Sequence, residues 1–170
     1  MKTAMGMLLA LAATAVQADN VVTNVNLGGS ATELSAAFGV THLEQGAFSD
    51  TFYFSPSAGT YSVDASLVTL GFSPNTDVTF TAAYVNGNAL SLIGPGLFEY
   101  GFLLPTVISG PLELSVFGYV NFEDTSFTPA SASYSGTLNI SAVPEPDAYA
   151  LLLAGLGVAG AAACRRRREA

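Results

Sequence analysis

Few side chains in this 170-residue chain could do chemistry, and the most telling is a carboxylate in an apolar setting. In Phe48-Ser49-Asp50-Thr51-Phe52-Tyr53-Phe54, extended backbone puts residues 48, 50, 52 and 54 on one face. Asp50 therefore stands among three phenylalanines. An ionised carboxylate on a core face is costly unless it is paired. No Lys or Arg lies between Thr3 and Cys164, so backbone amides at a bulge, nearby hydroxyls or a bound cation remain as partners. Asp50 is read as a structural carboxylate, with metal ligation as the competing role. Ca2+, a hard cation that takes oxygen ligands, is the candidate for that role.

Other constellations are incomplete. His42-Leu43-Glu44 puts an imidazole and a carboxylate on one strand face, and is read as a surface or edge pair. The H-x-E of zinc deaminases needs a later cysteine pair, whereas Cys164 is the sole cysteine. One histidine is also too few for a zinc site. No G-x-S-x-G elbow occurs, and His42 is the single candidate base for a triad. Gly28-Gly29-Ser30 is read as a turn because no phosphate-loop lysine follows. Asn75-Thr76-Asp77 and Glu123-Asp124 offer oxygen ligands, but the D-x-D-x-D-G calcium loop is missing. The expectation is a protein that is not an enzyme and has no cofactor.

The charge distribution is lopsided. All five basic residues sit at the ends, as Lys2 and Arg165 to Arg168. Twelve of the 13 carboxylates fall between Asp19 and Asp147. Binding to nucleic acid is excluded, because neutralising phosphates requires Lys and Arg. Apart from His42, no side chain in this stretch can form an intramolecular salt bridge. With its single cysteine at position 164, the acidic part contains no disulfide, and its stability must come from its core or from bound ions.

The elements that must position these residues are strands. Between Asp19 and Ser141 the chain alternates with period 2, is rich in Phe, Tyr, Val and Thr, and is punctuated by Gly, Pro and Asn. Candidate strands are 33–38, 47–55, 59–70, 78–85, 89–93, 97–104, 112–121 and 131–140. Val85-Asn86-Gly87-Asn88 has the composition of a type I′ hairpin turn. Eight short strands at this spacing predict an all-β fold, an antiparallel β-sandwich with a jelly roll or barrel as the alternative.

The two ends are of another kind. Lys2, the apolar stretch Met5 to Val16 and the small-residue pattern Val16-Gln17-Ala18 have the form of a signal peptide over residues 1–18. Cleavage is expected between Ala18 and Asp19, which implies the Sec translocon and signal peptidase as partners. A domain of residues 19–141 follows. Residues 142–170 then carry Pro144-Glu145-Pro146, an apolar run over 148–164 and the cluster Arg165-Arg166-Arg167-Arg168. At 1.5 Å per residue the run makes roughly 25 Å of helix, the short end of a membrane span. The arginines would hold its end on the cytoplasmic side. An inner-membrane-anchored precursor with a periplasmic domain is the expectation.

In this order the three parts of the tail resemble the PEP-CTERM sorting signal. The F-x-D-x-F pattern around Asp50 resembles a subgroup of PEP-CTERM proteins named for it, in which it marks the domain and implies no activity. The resemblance implies recognition by exosortase, a multi-pass membrane peptidase of exopolysaccharide-producing Gram-negative bacteria. It implies a mature form at the cell surface or secreted, as a biofilm or matrix component that meets exopolysaccharide. Two other readings stay open. One is a carbohydrate- or divalent-cation-binding module, for which Tyr53, Tyr61, Tyr84, Tyr100, Tyr119 and Tyr134 are candidates for a shared exposed row. The other is an uncleaved single-pass inner-membrane protein.

Overall fold

The computed structural model describes residues 17–69, 76–94, 96, 98–122, 131–143 and 146–168. Its strands are β1 (Val22–Asn26), β2 (Gly28–Gly29), β3 (Glu33–His42), β4 (Gly46–Ser55), β5 (Thr60–Thr69), β6 (Asp77–Val85), β7 (Asn88–Ala89), β8 (Ser91–Ile93), β9 (Tyr100–Ser109), β10 (Leu112–Asn121) and β11 (Ala132–Ala142), followed by the helix α1 (Pro146–Arg168). They form a five-stranded sheet, β1-β4-β10-β6-β7, and a six-stranded sheet, β2-β3-β11-β5-β9-β8. The β1–β4 pair is parallel and the pairs around it are antiparallel.

From β3 to β6 successive strands switch sheets, and they switch again at β9, β10 and β11. The four strands β3-β11-β5-β9 therefore face β4-β10-β6-β7, which is the strand order of a jelly roll. Of the sandwich, jelly roll and barrel left open in the sequence, the chain adopts a two-sheet form with this strand order.

Period-2 alternation builds the core between the sheets. Phe48, Phe52 and Phe54 of β4 point inward, as do Leu112, Leu114, Val116 and Val120 of β10. Val63, Ala65 and Leu67 of β5 and Tyr134, Leu138 and Ile140 of β11 meet them from the other sheet. Gly118 and Gly136 leave room for rings, since a Cβ at Gly118 would collide with Phe48 and one at Gly136 with Phe38. The Asn86-Gly87 turn has φ values of 46° and 80°, as a type I′ hairpin requires.

Several boundaries move for physical reasons. β1 and β2 carry little apolar pattern because nearly all their side chains are exposed. β3 runs on past Gly39 to His42, four residues beyond the expected end. β9 starts at Tyr100 and passes through Pro105, which falls at the irregularity between Val63 and Ala65 in the β5–β9 ladder. A proline is tolerated at such a bulge.

The expected span, residues 148–164, lies within α1. Pro146 opens this helix, a position where its missing amide costs nothing. Among the described residues no helix is long and apolar enough to cross a membrane. The expectation of a spanning helix is thus unsupported: the apolar run is short, Gly155, Gly157 and Gly160 dilute it, and arginines occupy its last turn.

Candidate functional site

The alternation that buries Phe48 and Phe52 also buries Asp50, which has no exposed surface. Three donors converge on its carboxylate. The amide of Val21, just before β1, donates to Oδ1 at 2.8 Å. His42 Nε2 at the end of β3 lies 3.0 Å from Oδ2, and the Tyr134 hydroxyl of β11 donates to Oδ2 at 2.5 Å. Asp50 belongs to one sheet, while His42 and Tyr134 belong to the other. The carboxylate therefore ties the two sheets together through the core.

His42 corrects one expectation. It is not at a surface or edge but 1% exposed, with its ring 4.4 Å from that of Phe48. Gly39 does not stop β3, so the inward alternation continues through Phe38 to His42. Because a carboxylate only accepts, the Asp50 contact makes Nε2 the protonated nitrogen. Nδ1 is then buried with no partner among the described residues. Burial, followed by the hydrogen bond and the negative charge of Asp50, pushes the Tyr134 phenol far above its ordinary value. The cluster has almost no exposed surface, with Asp50, His42 and Tyr134 at 0%, 1% and 3%. Among the described residues no group of three or more His, Cys, Asp or Glu side chains could hold a metal ion.

A second buried carboxylate gave no sequence signal. Glu99, just before β9, is 4% exposed, and its Oε2 accepts from the Phe80 amide at 2.8 Å. Phe80 is registered with Gly118, beside the register shift between β10 and β6. Glu99 is locked in turn by Thr69, whose Oγ1 accepts from the Glu99 amide at 3.0 Å.

The tyrosines divide. Tyr53, Tyr84 and Tyr119 share the outer face of the five-stranded sheet with Phe117, whose ring meets that of Tyr84 edge-on at 6.2 Å. Tyr100 is exposed on the other sheet beside Phe102, Tyr61 is half-buried, and Tyr134 is in the core.

At the expected signal-peptide junction, Ala18 is buried and its amide donates to the Ala47 carbonyl at 2.9 Å. Asp19 is exposed. Residues 1–16, Asn75, Glu123, Asp124, Pro144 and Glu145 lie outside the described residues, as do the side chains of Pro146 and Arg166 to Arg168. Arg165 is exposed.

Residues 142–168 match the model of the PEP-CTERM protein-sorting motif. The protein is thus a two-sheet β-domain joined to a PEP-CTERM motif, which starts at the last residue of β11. No curated protein matches the chain. Among solved structures it is similar to Aeromonas hydrophila PliG, a periplasmic lysozyme inhibitor of g-type lysozyme. The identity is 15%, over 72% of this chain and 100% of that one, with a TM-score of 0.30. The Salmonella Typhimurium PliG is similar at 20% identity, 70% and 98% coverage and a TM-score of 0.27. Likeness at that level decides nothing about this chain.

Proposed function

We propose that this chain is a non-enzymatic exported protein, processed by exosortase at Pro144-Glu145-Pro146 and delivered to the cell surface or the exopolysaccharide matrix. The observation that carries the proposal is the sorting-motif match at residues 142–168, directly after β11. The exposure of α1 supports it: Leu151, Leu153 and Val158 are 73%, 69% and 72% exposed. A contiguous apolar surface of this kind calls for a lipid or protein cover. In this reading α1 is a short-lived anchor held against the inner membrane until the peptidase acts. Its glycine-diluted run suits a temporary association better than a permanent one. The F-x-D-x-F strand would group the domain with the PEP-CTERM subgroup that shares it.

The test is the mass of the mature protein in strains with and without exosortase. A product ending near Pro144 that forms only with the enzyme is expected. An identical mass in both strains, still including the arginines, would leave a single-pass inner-membrane protein and overturn the processing step.

A further inference from the structure

A half-open cavity of about 610 Å3 lies on the outer face of the six-stranded sheet, away from the Asp50 cluster. Two rungs of the sheet make its floor. In one, Asn139 of β11 sits opposite Ser35 of β3 on one side and Asp64 of β5 on the other. In the next, Ser141 sits opposite Glu33. The Gly28-Gly29 backbone of β2 and Ser30 form the wall.

The polar groups are arranged in a way that restricts what could bind. Asn139 Nδ2 donates to Asp64 Oδ2 at 2.7 Å, which fixes the orientation of the amide because a carboxylate only accepts. One amide hydrogen and the amide oxygen of Asn139 then remain beside Asp64 Oδ1. Donor and acceptor lie next to each other on a rigid strand pair, with Ser35 opposite Asn139 on β3 and Ser141 two residues along β11 also lining the cavity. Such a set fits neighbouring hydroxyl groups, each of which both donates and accepts. Glu33 and Asp64 face the cavity in a stretch without Lys or Arg, which disfavours phosphate, sulfate and carboxylate ligands. The volume lies within the range of about 300–1,000 Å3 common to small-ligand sites.

We propose that this cavity binds a neutral saccharide, with Asp64 and Asn139 holding adjacent sugar hydroxyls. With no aromatic side chain among the described residues of its lining, the site is expected to bind weakly, with a dissociation constant on the order of millimolar. The proposal goes beyond the sorting reading, and the two fail separately: one is tested by mature mass, the other by a signal from Asn139.

The experiment uses the full chain, 15N-labelled and held in a detergent without a sugar headgroup. It is titrated with neutral gluco-, galacto- and manno-trisaccharides and, separately, with calcium chloride. The expected result is a saturable shift of the Asn139 side-chain amide with at least one saccharide, weakened roughly tenfold or more by Asp64→Ala. A second variant avoids the hydrogen-bonded pair. A Cβ at Gly28 would meet nothing within 4 Å, so Gly28→Phe fills the cavity without disturbing the core, and it should also abolish the shift. If Asp64→Ala fails to fold, Gly28→Phe carries the test. The proposal is overturned if no saccharide moves the Asn139 signal, if Gly28→Phe leaves binding intact, or if only calcium chloride produces the shift.

Discussion

The Tyr134 hydroxyl of β11 donates to Asp50 Oδ2 of β4 at 2.5 Å, so a single phenol–carboxylate contact spans the two sheets inside the core. His42 reaches the same oxygen from β3. In a domain without Lys or Arg, these groups and one backbone amide do what a buried ion pair does elsewhere.

Removing the acceptor should therefore cost more than removing one donor. Asp50→Ala strands the Tyr134 hydroxyl, the His42 Nε2–H and the Val21 amide, and is expected to destabilise by about 3–5 kcal/mol. Tyr134→Phe keeps the ring against Phe48 and Phe80 and should cost about 1–3 kcal/mol. Urea denaturation of both variants and of the double variant checks this. The double variant should lose less than the two losses added together, because the partners share one contact.

Alkaline pH should act through the same contact. The phenol of folded Tyr134 is raised by burial and by Asp50, whereas in the unfolded chain it ionises near 10.0. A raised folded value means its contribution is complete below pH 10.0 and declines as the pH rises beyond that. Denaturation midpoints measured across that range should fall more steeply for the wild type than for Tyr134→Phe. Parallel slopes would contradict the assignment.

Asp77 at the start of β6 has the opposite value for stability. Its Oδ1 is buried without a partner among the described residues, and burial raises its carboxyl above 3.8 despite the Val78 amide. The native state thus favours the protonated form, so this residue's contribution is full below 3.8 and lost as the pH rises through the folded value. Asp77→Asn should stabilise the protein at neutral pH, and the gain should shrink on acidification. Thermal unfolding at a neutral and an acidic pH reads the difference directly.

Gly136 on β11 should tolerate no side chain. A Cβ there meets the Ser66 backbone carbonyl as well as the Phe38 ring, and the carbonyl cannot swing aside. Gly136→Ala is expected to cost about 2 kcal/mol or more, as overpacking in a well-filled core does. Gly28→Ala, with open space around it, should be close to neutral and serves as the control.

Much of this was legible from alternation alone. The burial of Asp50 among Phe48, Phe52 and Phe54 follows from period 2, as does the inward set of β10. The partners of Asp50 were not legible, because pairing across two sheets is a long-range property. His42 is 8 residues from Asp50 but Tyr134 is 84 away. Gly39 obscured the continuation of β3, since a glycine in a strand has the look of a turn unless its neighbours across the sheet are known. β1 was missed because its partner is an already complete strand, β4, so it needs no apolar face of its own. The floor of the cavity on the six-stranded sheet stayed hidden for the same reason as Tyr134: Asn139, Asp64 and Ser35 become neighbours only through register.

The absence of Lys and Arg between Thr3 and Cys164 also affects how the protein can be cut and labelled. A protease that requires a basic residue before the scissile bond finds no site anywhere in the β-domain, folded or unfolded. Trypsin would deliver it as one large fragment, and reagents that target lysine amines would have no side chain to attach to. Such a domain withstands a whole class of peptidases through its composition alone. Studies of it should rely on enzymes that cut at acidic or aromatic residues.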